Sequence, residues 1–182
     1  GSNVLDDSVF GSCLFITGED IFPIVQGFTF TGGKGTLTNE ESTYKRRGGG
    51  VTVYQSNASV TYNRFIDNGN LETNAINVGG AASMIGTGIG VGREAPRDIT
   101  RDWVLDFSNN IFENNNSELG NTFESIGFDG EINFQGATFD VFSSEYMDVS
   151  EYWIVKDEAT TNYNGAVGII EAITYDVWVS PD

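Results

Sequence analysis

Four segments of the chain repeat one alternation of apolar and polar residues, and each segment ends on a phenylalanine. The segments occupy residues 23–30, 58–65, 105–112 and 132–139. The position five residues before the final phenylalanine is apolar in all four, namely Val25, Val60, Phe107 and Phe134. Side chains that alternate with period two are typical of β-strands. Each segment therefore predicts a strand, a short corner and a second strand, with alternate side chains pointing inward.

The final phenylalanines indicate how the segments assemble. They are Phe30, Phe65, Phe112 and Phe139, and they are 35, 47 and 27 residues apart. A stacked β-repeat needs about 20–30 residues. The last interval therefore fits one plain repeat, and the longer two fit a repeat with an insertion or two repeats. We expect the phenylalanines to stack, and Asn63 and Asn110 to form a ladder that bonds the backbone of the next repeat.

This pattern predicts an all-β fold, a right-handed parallel β-helix with inserted loops. Residues 1–182 are interpreted as a single β-helix domain or a fragment of one. After Phe139 the pattern loosens, and segments 152–155, 167–170 and 175–179 are predicted to be strands of the final coils.

Two insertions, at about residues 32–50 and 86–102, interrupt the repeats and hold most of the positive charge. Seven of the nine basic residues fall in them, namely Lys34, Lys45, Arg46, Arg47, Arg93, Arg97 and Arg101. Loops inserted at equivalent corners of stacked repeats emerge on one side. We therefore predict one basic or mixed patch that binds a carbohydrate or a partner protein. Its candidate residues are Tyr44, Arg46, Arg47, Tyr54, Arg93, Arg97 and Arg101.

Charge and composition exclude several classes of function. The net charge is −17, which repels phosphate backbones and anionic lipid, so we expect no nucleic-acid partner. The sequence contains no apolar run long enough to cross a membrane, so we expect no direct membrane insertion. There is no histidine, which excludes a Ser-His-Asp triad and a histidine zinc site. The one cysteine, Cys13, lies in an apolar run and is predicted to be a small buried side chain.

Paired tetrapeptides carry a family resemblance. Gly48–Val51 (GGGV) and Gly79–Ala82 (GGAA) each precede an FxxN tetrapeptide, at Phe65–Asn68 and Phe112–Asn115. This alternation resembles the repeats of polymorphic outer-membrane proteins and of secreted bacterial β-helix proteins with a pectin-lyase-like fold. Residues 176–182 are similar to the opening strand of secreted β-helix modules. The resemblance implies a secreted or cell-surface bacterial protein with other domains in the same parent chain.

Carboxylates next to the aligned phenylalanines are the candidate metal ligands. Glu113 and Asp140 each follow an aligned phenylalanine by one residue, and Asp67 lies nearby in the register. In adjacent repeats such carboxylates would stack about 5 Å apart, which favours recruiting a cation such as calcium. The alternative is that these carboxylates point away from one another into solvent, in exposed turns.

The sequence leaves three hypotheses on function open. The first is a non-enzymatic secreted or cell-surface module, adhesin-like or a structural binding segment, with a polysaccharide or a host or cell-surface protein as partner and no cofactor. The second, implied by the resemblance, is a carbohydrate-active domain that binds or cleaves polysaccharide, with calcium as its cofactor. The third is end-to-end self-association through unpaired strand edges. The missing catalytic set favours the first.

Overall fold

In the computed structural model, the described residues are 11–40, 43–69, 76–92, 101–118, 120–139, 153–155, 160–162 and 164–166. They form seventeen β-strands, and no helix occurs among them. The predicted all-β character is therefore confirmed for this part of the chain.

Three sheets are built from parallel strands. Sheet 1 contains β1 (Leu14–Gly18), β6 (Val51–Ser56), β10 (Ala82–Ile85), β14 (Phe123–Ile126) and β16 (Trp153–Val155). Sheet 2 contains β2 (Ile24–Gln26), β7 (Ala58–Thr61), β12 (Asp102–Asp106), β15 (Asp129–Asn133) and β17 (Thr160–Asn162). Sheet 3 contains β3 (Thr29–Thr31), β8 (Arg64–Ile66) and β13 (Ile111–Glu113).

The chain visits the three sheets in a fixed order. Each of the first three repeats contributes one strand to sheet 1, then one to sheet 2 and then one to sheet 3. The described part of the last two repeats adds strands to sheets 1 and 2, and the fourth repeat reaches sheet 3 through a single bridge between Thr138 and Ile111. The final phenylalanines are in register: Phe30 pairs with Phe65, and Phe65 pairs with Phe112. Direct pairing shows that each of the two long intervals holds one repeat with an insertion, not two repeats.

One hydrophobic core lies between the three sheets. It includes Val53 from sheet 1, Leu105 from sheet 2 and Phe112 from sheet 3. The predicted phenylalanine stack is confirmed, with centroid distances of 5.1 Å for Phe30 and Phe65, 5.0 Å for Phe65 and Phe112, and 5.0 Å for Phe112 and Phe139.

The predicted asparagine ladder is present, but each side chain bonds the backbone of the preceding repeat and not that of the next one. The Asn63 Oδ1 accepts a hydrogen bond from the Phe28 N–H (2.9 Å), and its Nδ2 donates to the Val25 carbonyl (2.9 Å). One repeat further, the Asn110 Oδ1 accepts from the Asn63 N–H (2.8 Å). The buried amide side chains thus supply hydrogen bonds to turns that have no strand partner.

The asparagines of the two FxxN tetrapeptides form a second ladder. The Asn68 Oδ1 accepts from the Gly33 N–H (3.2 Å), and the Asn68 N–H donates to the Asn115 Oδ1 (3.1 Å). The Asn115 Nδ2 donates to the Phe65 carbonyl (2.9 Å). The FxxN pattern therefore combines one core phenylalanine with one turn amide.

Glycine in the GGGV and GGAA tetrapeptides allows backbones to cross closely. A Cβ atom added to Gly80 would lie 2.2 Å from the Asn121 carbonyl oxygen, and one added to Gly49 would lie 2.4 Å from the Gly80 carbonyl oxygen. No side chain fits at either position, because contacts this short are forbidden. These glycines begin the return of the chain to sheet 1.

A fourth sheet is built from the two insertions and a short strand that lies between them in the sequence. It contains β11 (Gly90–Val91), β4 (Thr36–Glu40), β5 (Thr43–Arg47) and β9 (Ile76–Val78), in that order. We call it the insertion sheet. β4 and β5 form an antiparallel hairpin, and β11 from the second insertion pairs antiparallel with β4 from the first. The two insertions therefore meet on one side of the molecule.

The repeat continues after Phe139. β16 pairs in parallel with β14, and β17 pairs in parallel with β15. Ala166 is buried in the core. Of the late strands expected from the sequence, the one within 152–155 is present, whereas 167–170 and 175–179 lie outside the described residues.

The predicted burial of Cys13 is wrong. Its side chain is exposed, because inward and outward positions alternate along this segment and Leu14 and Ile16 take the inward ones. An apolar run at the start of a strand thus does not place every member in the core.

Candidate functional site

The insertion sheet covers part of the outer face of sheet 1 and buries an ion pair beneath it. Arg47 from β5 bonds Glu124 from β14, and both side chains are fully buried. The Arg47 Nη2 also lies 2.8 Å from Glu40 Oε2, and Arg47 Nε donates to the Thr38 Oγ1 (2.9 Å). The Ser83 Oγ donates to the Glu124 Oε2 (3.2 Å). This network joins the insertion sheet to sheet 1.

The local sequence explains why the network forms here. Thr52, Ser83 and Glu124 occupy one column across sheet 1, on its outward face. A polar outward column ordinarily faces water, but the insertion hairpin covers this one. A buried carboxylate then needs a cation and further hydrogen bonds, and Arg47 and Ser83 provide them.

A small second core lies beside this network. Tyr54, Ile85 and Ile126 pack with Ile89 and Val91. The Tyr54 hydroxyl donates to the Ile89 carbonyl (3.1 Å). The second insertion is therefore anchored to sheet 1 by apolar contacts.

The sequence predicted a basic or mixed binding patch of seven residues, and three of them are not accessible at the surface. Arg46, Arg47 and Tyr54 are buried. The reason is that the two insertions form a sheet that packs on the body, so these side chains serve the contact. Tyr44 is exposed, and its binding role stays a prediction.

Of the remaining patch residues, Arg93 and Arg97 lie outside the described residues. Arg101 is half-exposed and bonds the first repeat, with its Nη2 3.1 Å from Glu19 Oε2 and its Nη1 3.2 Å from Asp20 Oδ1. It also lies over the Trp103 ring, 6.0 Å from the centroid. Arg101 thus ties the end of the second insertion to the first repeat.

The predicted metal ligands are only partly described. Glu113 pairs with Arg64 (2.9 Å), and Asp67 is exposed in a left-handed turn with φ of 54°. Asp140 lies outside the described residues. Within the described part of the chain, no three Asp, Glu, Cys or His residues are grouped closely enough to hold a metal ion. The calcium site stays a prediction.

The sequence interpretation missed a cluster of exposed apolar side chains in the first repeat. Phe22, Ile24 and Phe28 are at least half exposed. In later repeats the register position of Ile24 is taken by Ser59 and Asp106. The sequence does show this difference when the four repeated segments are aligned with one another. Phe28 then falls at the position that Asn63 and Asn110 occupy in the next two repeats.

Comparison of the chain with protein-family models, with curated protein sequences and with solved structures gives no match. The resemblance to secreted β-helix proteins therefore stays a prediction. In the described part of the chain, no helix has the length and apolarity that a membrane span requires.

Proposed function

We propose that the three parallel sheets are the faces of one right-handed parallel β-helix, and that it serves as a non-enzymatic secreted or cell-surface module. Right-handed connection is the general rule when parallel strands are joined by a crossover. The module would be an adhesin-like or structural binding segment of a larger bacterial protein. Its partner would be a polysaccharide or a cell-surface protein.

The observation that carries this proposal is the unbroken stacking of equivalent residues. The phenylalanine stack runs through four repeats at nearly constant spacing, and the asparagine ladders follow the same register. Stacked repeats contact mainly their neighbours and produce stiff, extended bodies. Such a body suits display or spacing at a surface.

The use of charged residues supports a structural role. Arg47 and Glu124 join two sheets, and Arg101 joins two distant segments. Each of these arginines forms an ion pair within the chain. The two do not converge on a common ligand-binding site.

The test combines resistance to protease with a search for turnover. We expect the full chain to resist digestion at its repeats, with cleavage confined to the insertions and termini. Incubation with a panel of neutral and acidic polysaccharides, with calcium and with chelator, should give no new reducing ends or unsaturated products. Turnover that disappears in Glu113→Gln would instead support the carbohydrate-active alternative.

A further inference from the structure

One turn of the repeat carries an exposed aromatic residue where its equivalents are small or polar. The turn that follows the sheet 2 strand has positive φ in all five described repeats. The residues concerned are Gly27, Tyr62, Asn109, Gly136 and Gly165. Glycine and asparagine tolerate this left-handed conformation, whereas a bulky side chain rarely adopts it.

Tyr62 therefore holds a strained backbone without a matching gain from burial. Its φ is 56° and the residue is 63% exposed. Strain of this kind persists where the surroundings enforce it, and it is concentrated at functional sites. The two observations are independent, since one concerns the backbone and the other the solvent exposure of the ring.

Phe28 directly follows the equivalent turn residue, Gly27, of the neighbouring repeat. The Gly27 N–H donates to the Tyr62 carbonyl (3.2 Å), so the two turns are hydrogen-bonded neighbours, about 5 Å apart. Phe28 is 57% exposed. It occupies the register position of the ladder residue Asn63, so the first repeat replaces an inward amide with an outward ring.

An ion pair adjoins the two aromatic residues. The Arg64 N–H donates to the Phe28 carbonyl (2.8 Å), and the Arg64 Nη2 lies 2.9 Å from Glu113 Oε2. Both charged side chains are about half exposed. Across three consecutive repeats the surface thus presents two exposed rings at the turns, followed on sheet 3 by a fork of hydrogen-bond donors from Arg64 and a carboxylate acceptor from Glu113.

We propose that Phe28, Tyr62, Arg64 and Glu113, here called the aromatic corner, bind a neutral polysaccharide. The C–H face of a pyranose ring packs on an aromatic face, while its hydroxyl groups accept from a guanidinium and donate to a carboxylate. The net charge of −17 disfavours acidic glycans, nucleic acids and anionic lipid. This inference deepens the proposed function, on which it rests through the repeat register, by naming the ligand class.

The experiment is a calorimetric titration of the full chain with cellohexaose, maltohexaose and mannohexaose, and with hexagalacturonate as the acidic comparison. We expect at least one neutral hexasaccharide to bind, and to bind more tightly than hexagalacturonate. Tyr62→Gly should weaken that binding about tenfold, equivalent to one lost stacking contact. Its melting temperature should stay the same or rise, since glycine relieves the strained φ.

Two further variants keep the test decisive. Phe15→Ala removes another exposed aromatic, on sheet 1, and should leave the affinity unchanged. Tyr62→Asn repeats the test with a residue that the same turn accepts in another repeat, as Asn109 shows. If no neutral hexasaccharide binds, if hexagalacturonate binds most tightly, or if both Tyr62 variants bind like the parent, the aromatic corner is overturned. The proposed scaffold is judged separately, by the protease and melting behaviour of the unaltered chain.

Discussion

Single buried amides have a large influence on this fold because they satisfy turn backbones that have no strand partner. Asn115 accepts from both the N–H and the Nδ2 of Asn68 and donates to the Phe65 carbonyl. Asn116, the next residue, is exposed. Two adjacent asparagines therefore differ only in their environment, which makes them a matched pair.

Asn115→Ala should lower the free energy of unfolding by at least about 2 kcal/mol, because buried donors and an acceptor lose their partner. Asn116→Ala should change it by less than about 0.5 kcal/mol. Urea denaturation of both variants measures the difference. Equal stability of the two would show that the ladder contributes nothing beyond what water supplies.

Gly80 gives a steric test at the same scale. An added Cβ would lie 2.2 Å from the Asn121 carbonyl oxygen, whereas at Gly11 no atom lies within 4 Å. Gly80→Ala should cost about 3 kcal/mol through forced backbone shifts, and Gly11→Ala should be nearly neutral. A Gly80→Ala protein that melts at the parent temperature would contradict the close crossing of the two backbones.

Which residues the sequence can predict depends on whether their environment is set by the repeat. The phenylalanine stack and the Asn63 and Asn110 ladder follow from periodicity alone, since period two fixes the facing of each side chain. The burial of Arg46 and Arg47 does not, because it depends on a second sheet packing above them. A basic residue type indicates a preference for contact with water. It does not indicate whether a neighbouring element packs over the side chain and excludes that water.

At the scale of elements, the insertion sheet is attached to the body by a buried charge pair and a small apolar cluster. Arg47 and Glu124 are both fully buried, while Arg64 and Glu113 form a comparable pair at the surface. Comparing the loss of stability on mutating each pair tests whether the buried pair attaches the β4–β5 hairpin to sheet 1. The sequence indicated that the insertions share a side, but not that they join in one sheet, since β11 has only two residues and no recognisable pattern.

Glu124→Gln should lower the free energy of unfolding by about 3 kcal/mol, because it leaves the buried Arg47 guanidinium undercompensated. The same change at the surface, Glu113→Gln, should cost less than about 1 kcal/mol. The double change Arg47→Met with Glu124→Leu should recover most of the loss, since apolar packing avoids desolvating two charges. Urea denaturation measures the free energy of unfolding of all three variants. A Glu124→Gln protein as stable as the parent would contradict the role of the pair.

At the scale of the whole molecule, repeats that are distant in sequence lie next to each other in space. The spacing of the final phenylalanines predicted the stack, but it left open whether the long intervals held one repeat or two. That question is decided by pairing between strands 35 and 47 residues apart, which local sequence patterns do not encode. The aromatic corner was harder still to predict from the sequence. Its residues are recognisable only because they differ from those at the equivalent positions of the other repeats.

The most direct test of the stacked arrangement is a nuclear Overhauser spectrum of the chain labelled only at phenylalanine. Ring signals are assigned from single Phe→Leu variants at positions 30, 65, 112 and 139. The account predicts contacts from Phe30 to Phe65, from Phe65 to Phe112 and from Phe112 to Phe139, with none from Phe30 to Phe112. Absent contacts between consecutive rings, or contacts that skip a ring, would contradict a single column of stacked repeats.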